Sequence, residues 1–307
     1  MVSARAFISG AVPADRVRPH RYTILPGTKF SVSNQGTYTN NCTRTVRYNI
    51  ERTGLLEFTG GTSLDFPPSF DETYHTVYGT LDIGIPLKFG ADQHFHGTGD
   101  VKVRSVSDFA GAKARVHLSG GVTLKPAAWS TATEADGVTA ITVDGVATIE
   151  PTANLAYGSS SAAVTSTAAE RALEITDAGD LTLVANEGRK IVFADPISGE
   201  GKLAICGPDT VSLSGGVSVG ELVFSGSPKI EVGSENPIEV ASAVSLSGVE
   251  LAVSSPSAQD GWTTVVSAPE ISGMPTVASN VLASLVTVGG HMELRVKGRR
   301  GLLISIQ

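Results

Sequence analysis

Cysteine, large aromatic side chains, charge and long apolar runs are all scarce in this chain, and each shortage removes a class of protein. Only two cysteines occur, Cys42 and Cys206, far apart and outside any C-x-x-C pair. That excludes a disulfide framework and a cysteine-built zinc module, and both thiols read as buried or incidental. No run approaches eighteen apolar residues, so no transmembrane helix is expected. No long stretch has the 3.6-residue periodicity of an amphipathic helix, which excludes helical bundles. Charged residues make up only 17% of the chain and the net charge is -7, so the basic face that nucleic acid requires is missing. The charge is uneven: residues 1–57 hold eight Lys or Arg against three acids, leaving fifteen basic residues against twenty-seven acids in the rest. The basic segment reads as a solvated end, with contact to an acidic surface as the alternative.

What the chain has is glycine and small aliphatic residues. There are 34 glycines, and the 41% hydrophobic content comes largely from Val, Leu, Ile and Ala, since aromatics are 6%. These residues are arranged as short apolar-polar-apolar triplets, the period-two signature of strands. Within residues 199–233 the triplets Leu203-Ala204-Ile205, Val211-Ser212-Leu213, Leu222-Val223-Phe224 and Ile230-Glu231-Val232 alternate with Gly, Ser, Pro and Asp turns. A spacing of roughly eight to eleven residues points to stacked strands. A chain of 307 residues would ordinarily divide into about two globular domains. A solenoid escapes that limit, because each coil touches only its neighbours. An open sheet of so many strands would be unusual, whereas a parallel coil has no edges along its length.

The sequence therefore predicts an all-β chain: a right-handed parallel β-helix or closely related β-solenoid with a β-rich C-terminal cap. Residues 1–53 form an irregular, basic, proline-punctuated region with two possible strands, Lys29 to Val32 and Thr45 to Tyr48. Residues 54–160 carry the first part of the solenoid, 161–260 its regular repeats and 261–307 the cap. Residues 157–171 are small, polar and low in complexity, which sets the boundary near 160; one continuous solenoid is the alternative. Residues 67–78 read as a loop protruding from one coil, Thr167 to Leu173 as one helical turn, and Ile271 to Pro275 as a turn. The N-terminus falls short of a secretion signal, so the chain reads as cytoplasmic or as a fragment of an exported protein, the fragment being preferred.

The motifs G-x-G-K-L-x-I at Gly199 to Ile205, T-V-x-L-S-G-G-V at Thr210 to Val217 and L-x-F-x-G-S-P at Leu222 to Pro228 are joined by a C-terminal G-W-T-T-V-V, I-S-G-M-P and M-E-L-R-V. Together they resemble passenger-type β-solenoids built of autotransporter-associated strand repeats, over residues 80–307. The resemblance implies a large exported protein on a Gram-negative surface. The chain departs from that family in showing neither a signal peptide nor a C-terminal membrane barrel.

Four groups could carry chemistry. Gly216-Val217-Ser218-Val219-Gly220 matches the G-x-S-x-G nucleophile elbow, but a strand follows where a helix is required, so Ser218 reads as a chance match. Asp92, His94 and His96, with His75 upstream and Asp100 downstream, are the densest set of possible metal ligands. His94 and His96 would project from one side of a strand, but no third ligand is specified. Asp65, Asp71, Glu72, Asp82, Asp92, Asp100 and Asp108 recur at intervals that could stack carboxylates about 4.8 Å apart, as calcium ligands or as an acid and base pair; beside glycine and proline they read as solvated turns. Lys297, Arg299 and Arg300 could touch an anionic glycan or lipid, or form a solvated edge. Asn41-Cys42-Thr43 is a glycosylation tripeptide of no weight.

No catalytic, cofactor-binding or metal residue is assigned on this basis, and no cofactor is expected. The function expected is structural and adhesive, at an extracellular or outer surface, with a surface glycan or cell-surface protein as partner. A carbohydrate-active β-helix enzyme and a viral fibre segment are the alternatives.

Overall fold

Alternating inward and outward side chains place Leu, Ile and Val on one face of every short strand, and parallel stacking turns those faces into continuous columns. The computed structural model describes residues 20–33, 37–39, 46–60, 63–66, 72–108, 114–129, 140–158, 172–254 and 261–298, and among these no helix occurs. The described strands form a parallel β-solenoid of about nine turns. Its first sheet has thirteen strands, its second eleven, its third six, and a two-stranded sheet completes the C-terminal coils. Pairing within the coil is parallel throughout, with each strand bonded to the equivalent strand of the next turn.

One column of the second sheet runs Phe30, Leu56, Leu81, Val101, Leu124, Ile149, Leu183, Ile205 and Phe224 in register. Most of its members are fully buried, and each such side chain contributes about 1.5–3 kcal/mol by leaving water. A column of the first sheet starts polar, with Thr73 and Gln93. It continues through Val116, Ile141, Leu173, Ile197, Val217, Ile238, Val266, Leu294 and Leu285. The last two residues belong to a hairpin, Val281–Val288 and His291–Gly298, whose second strand pairs antiparallel with Thr263–Ala268. This hairpin is the β-rich cap that the C-terminal sequence predicts.

Several local expectations are corrected. Residues 73–77 are not part of a loop but a strand of the first sheet, whose buried Thr73, His75 and Val77 point inward. Ile271–Ser272 is a short strand paired with Val244–Ser245, not a turn. In the segment expected to be least regular, coiled strands begin at His20, and the two strands expected there are present as Lys29–Ser33 and Val46–Ile50. The proposed helical turn falls mostly outside the described residues, and its last residue, Leu173, opens a strand. Asn41, Cys42, Asp71, Arg299, Arg300 and the rest of the expected cap after residue 298 also lie outside them.

Candidate functional site: a ring and carboxylate ladder

Parallel stacking sets like-numbered positions of successive coils side by side, so outward residues of the first sheet form a row. That row runs Tyr74, His94, His117, Thr142 and Glu174. Rings 4.8 Å apart along the ladder are forced face to face. Tyr74 stacks on His94 with ring centroids 4.1 Å apart, and His94 on His117 at 4.2 Å. The Arg47 guanidinium covers the far face of the stack, 5.7 Å from the Tyr74 ring, a cation–π contact.

Acids close the edges of the stack. His117 is held between two carboxylates, Nδ1 at 2.8 Å from Asp144 Oδ2 and Nε2 at 3.2 Å from Asp92 Oδ2. Burial pulls the His117 pKa down, but the hydrogen bonds to Asp92 and Asp144 outweigh it and hold it above the ordinary histidine value. His94 moves the opposite way: burial lowers its pKa and the neighbouring His117 adds to that, against Glu72 and Asp92. Its buried Nε2 lies 3.5 Å from Glu72 Oε2, within ion-pair range but without a formed hydrogen bond. Glu72 Oε2 instead accepts a hydrogen bond from the Tyr74 hydroxyl at 2.8 Å, and that bond is the main reason the phenol pKa is raised. Asp92 is lowered: burial would raise it, but the bond to His117 and the donated Arg115 N–H prevail.

Arg115 binds the ladder to the coils that follow. Its backbone N–H donates to Asp92 Oδ1, its Nε to Thr142 Oγ1 at 2.6 Å, and its Nη2 to Ile141 O, Ala172 O and Glu174 Oε2. The planar fork of arginine suits such divergent acceptors.

On the inward face of the same strands His75 is 2% exposed and stacks between Tyr48 and Phe95, 5.0 Å from each. The Tyr48 N–H donates to Nδ1, so Nε2 carries the proton and donates to Gln93 Oε1 at 3.2 Å. Burial lowers the His75 pKa to about 4.

The residues singled out from sequence are thus only partly brought together. His94 and His96 do share the outward face, but they enter different rows: His96 meets the Ser119 hydroxyl at 3.1 Å, while His94 enters the ring stack. His75 faces the core, away from both. Asp100 faces Lys125, at 3.2 Å, rather than another carboxylate, and Lys125 also reaches Glu150. Asp82 lies in register between Glu57 and Lys102, and Asp65 opposite Lys88. Among the described residues no three His, Cys, Asp or Glu side chains converge as a metal site would require. Ser218 is exposed on a strand that runs into the strand Glu221–Ser225, without the helix of a nucleophile elbow. It lines an open groove of about 630 Å³ with Glu200, Glu239, Ser267 and His291. Lys297 sits in the cap opposite Leu282. Cys206 is a free thiol whose pKa is raised by burial.

Sequence reading missed His117, Tyr74, Asp144 and Arg115. Val116-His117-Leu118 is legible as a strand, but nothing in the sequence states that His117 registers on His94. In comparisons with known proteins the chain matches no protein family, no curated protein and no solved structure.

Proposed function

We propose that this chain is a non-catalytic structural and adhesive β-solenoid. It belongs to an extracellular surface protein and binds a surface glycan or a cell-surface protein through its outward rows. One observation carries the non-catalytic reading: the densest polar group in the described fold is consumed by its own contacts. Both ring nitrogens of His117 face carboxylates, so neither is free to take a substrate proton. Both faces of His94 are covered by rings. The exported bacterial setting rests on the resemblance of the repeat motifs alone. The alternative of a carbohydrate-active enzyme draws on the same feature, two carboxylates about one imidazole.

Incubation of the purified chain with immobilised glycans and with soluble acidic and neutral polysaccharides distinguishes the two. Retained binding without product release, unchanged in His117→Gln, is expected. Shortened polysaccharide in the wild-type digest, absent in His117→Gln, would establish the enzyme instead.

A further inference from the structure

The described solenoid ends in an open strand. Val281–Val288 is the outermost strand of the first sheet, paired on one side with His291–Gly298; no described strand pairs with its other edge, and the Val281 N–H donates to Ala278 O at 2.9 Å. Its sequence, VLASLVTV, has no charge and no proline, the devices that usually keep such an edge from pairing. The inward column that begins at Thr73 finishes there at Leu285, which is only partly buried together with Ala283 and Met292. Exposed large apolar residues gather at the same end of the chain: Trp262, Met274, Leu282 and Val288 are each 38–48% exposed.

We propose that this edge pairs antiparallel with the same edge of a second copy of the chain, joining two solenoids tail to tail about a two-fold axis. The occupant is chosen by self-complementarity. A two-fold axis normal to the sheet keeps inward rows inward. With the axis through Leu285, Leu285 meets Leu285, Ala283 meets Thr287, Leu282 meets Val288 and Ser284 meets Val286. The core column then continues across the seam instead of stopping half-exposed. Charges on the adjoining strand also fit. Arg295 and Glu293 sit beside Ser284 and Val286, so each Arg295 lies in line with the Glu293 of the other copy, and no like charges face each other.

The dimer's first sheet stacks 26 strands, about 25 spacings, and is about 120 Å long. Small-angle scattering is expected to show a radius of gyration that rises from about 19 Å for the monomer, a rod of about 58 Å, to about 35 Å as concentration increases. Val286→Lys places a charge at the seam on the outward row, opposite Ser284 of the second copy and one strand short of that copy's Arg295, and should weaken association at least tenfold while leaving the monomer's circular dichroism and melting unchanged. Leu285→Cys should form a disulfide-linked dimer on mild oxidation, and Val288→Cys should not. A chain that stays monomeric at high concentration, or a dimer indifferent to Val286→Lys, would overturn the proposal. So would concentration-independent amide protection at 282–288 that disappears in a chain ended at Gly298, since the edge would then be covered by its own residues 299–307.

Discussion

At the scale of single residues, the most consequential side chain is one that no outside molecule touches. His75 is enclosed by Tyr48, Phe66 and Phe95 and hydrogen-bonded to the Tyr48 amide and Gln93, an arrangement that accepts only the neutral ring. With a folded pKa of about 4 against an ordinary value of 6.5, the unfolded chain binds the extra proton first. The stability His75 lends is therefore complete above pH 6.5 and is lost as pH falls towards 4. The lowering corresponds to about 3 kcal/mol. Denaturant titrations at pH 7 and pH 4 should differ by about that amount more in the wild type than in His75→Gln. Equal pH dependence in the two proteins would remove His75 as the cause. In the sequence His75 read as an outlying metal ligand of the His94 group. It faces the other way because Thr73–Val77 is a strand, and a polar histidine and glutamine at inward positions hide the apolar alternation by which a strand is recognised.

At the scale of elements, the repeats were legible where inward residues are uniformly aliphatic, as at Leu181–Leu183 and Leu203–Ile205, and obscure where polar groups point inward. The site was less legible than the fold. Tyr74, His94 and His117 lie 20 and 23 positions apart in sequence, and coil lengths vary too much for those spacings to reveal a shared row. Coil stacking depends instead on corners where the backbone of one turn lies against the next. Gly199 has φ +131°, and an added Cβ would collide with the Ile175 carbonyl of the preceding coil. Gly188 also has positive φ, +74°, but faces open space. Gly188→Ala should cost about 1 kcal/mol, the conformational penalty alone, whereas Gly199→Ala should cost about 3 kcal/mol or more because two coils must separate. Chemical denaturation of the two variants checks this, and equal losses would show that the corner at Gly199 yields without parting the coils.

At the scale of the whole molecule, a coil that touches only its neighbours has no single core to melt. Its stability is close to a sum of coil terms and nearest-neighbour terms, so interior coils are protected from both sides and end coils from one. The interior strands Asp180–Val184 and Lys202–Cys206 pair on both edges, and Leu181, Leu183, Leu203 and Ile205 are completely buried. At the N-terminal end, His20–Ile24 is the outermost described strand of the first sheet and pairs on one side. Local opening should follow this order. Hydrogen exchange in dilute solution should therefore find the slowest amides in the two interior strands and progressively faster ones towards His20–Ile24. The edge strand Val281–Val288, paired on one side only, should exchange fastest at the other end, and the amides on its open edge should slow only when the protein is concentrated enough to pair. A profile in which interior and end strands exchange together would mean that the solenoid opens as one unit, and the nearest-neighbour account of its stability would fail.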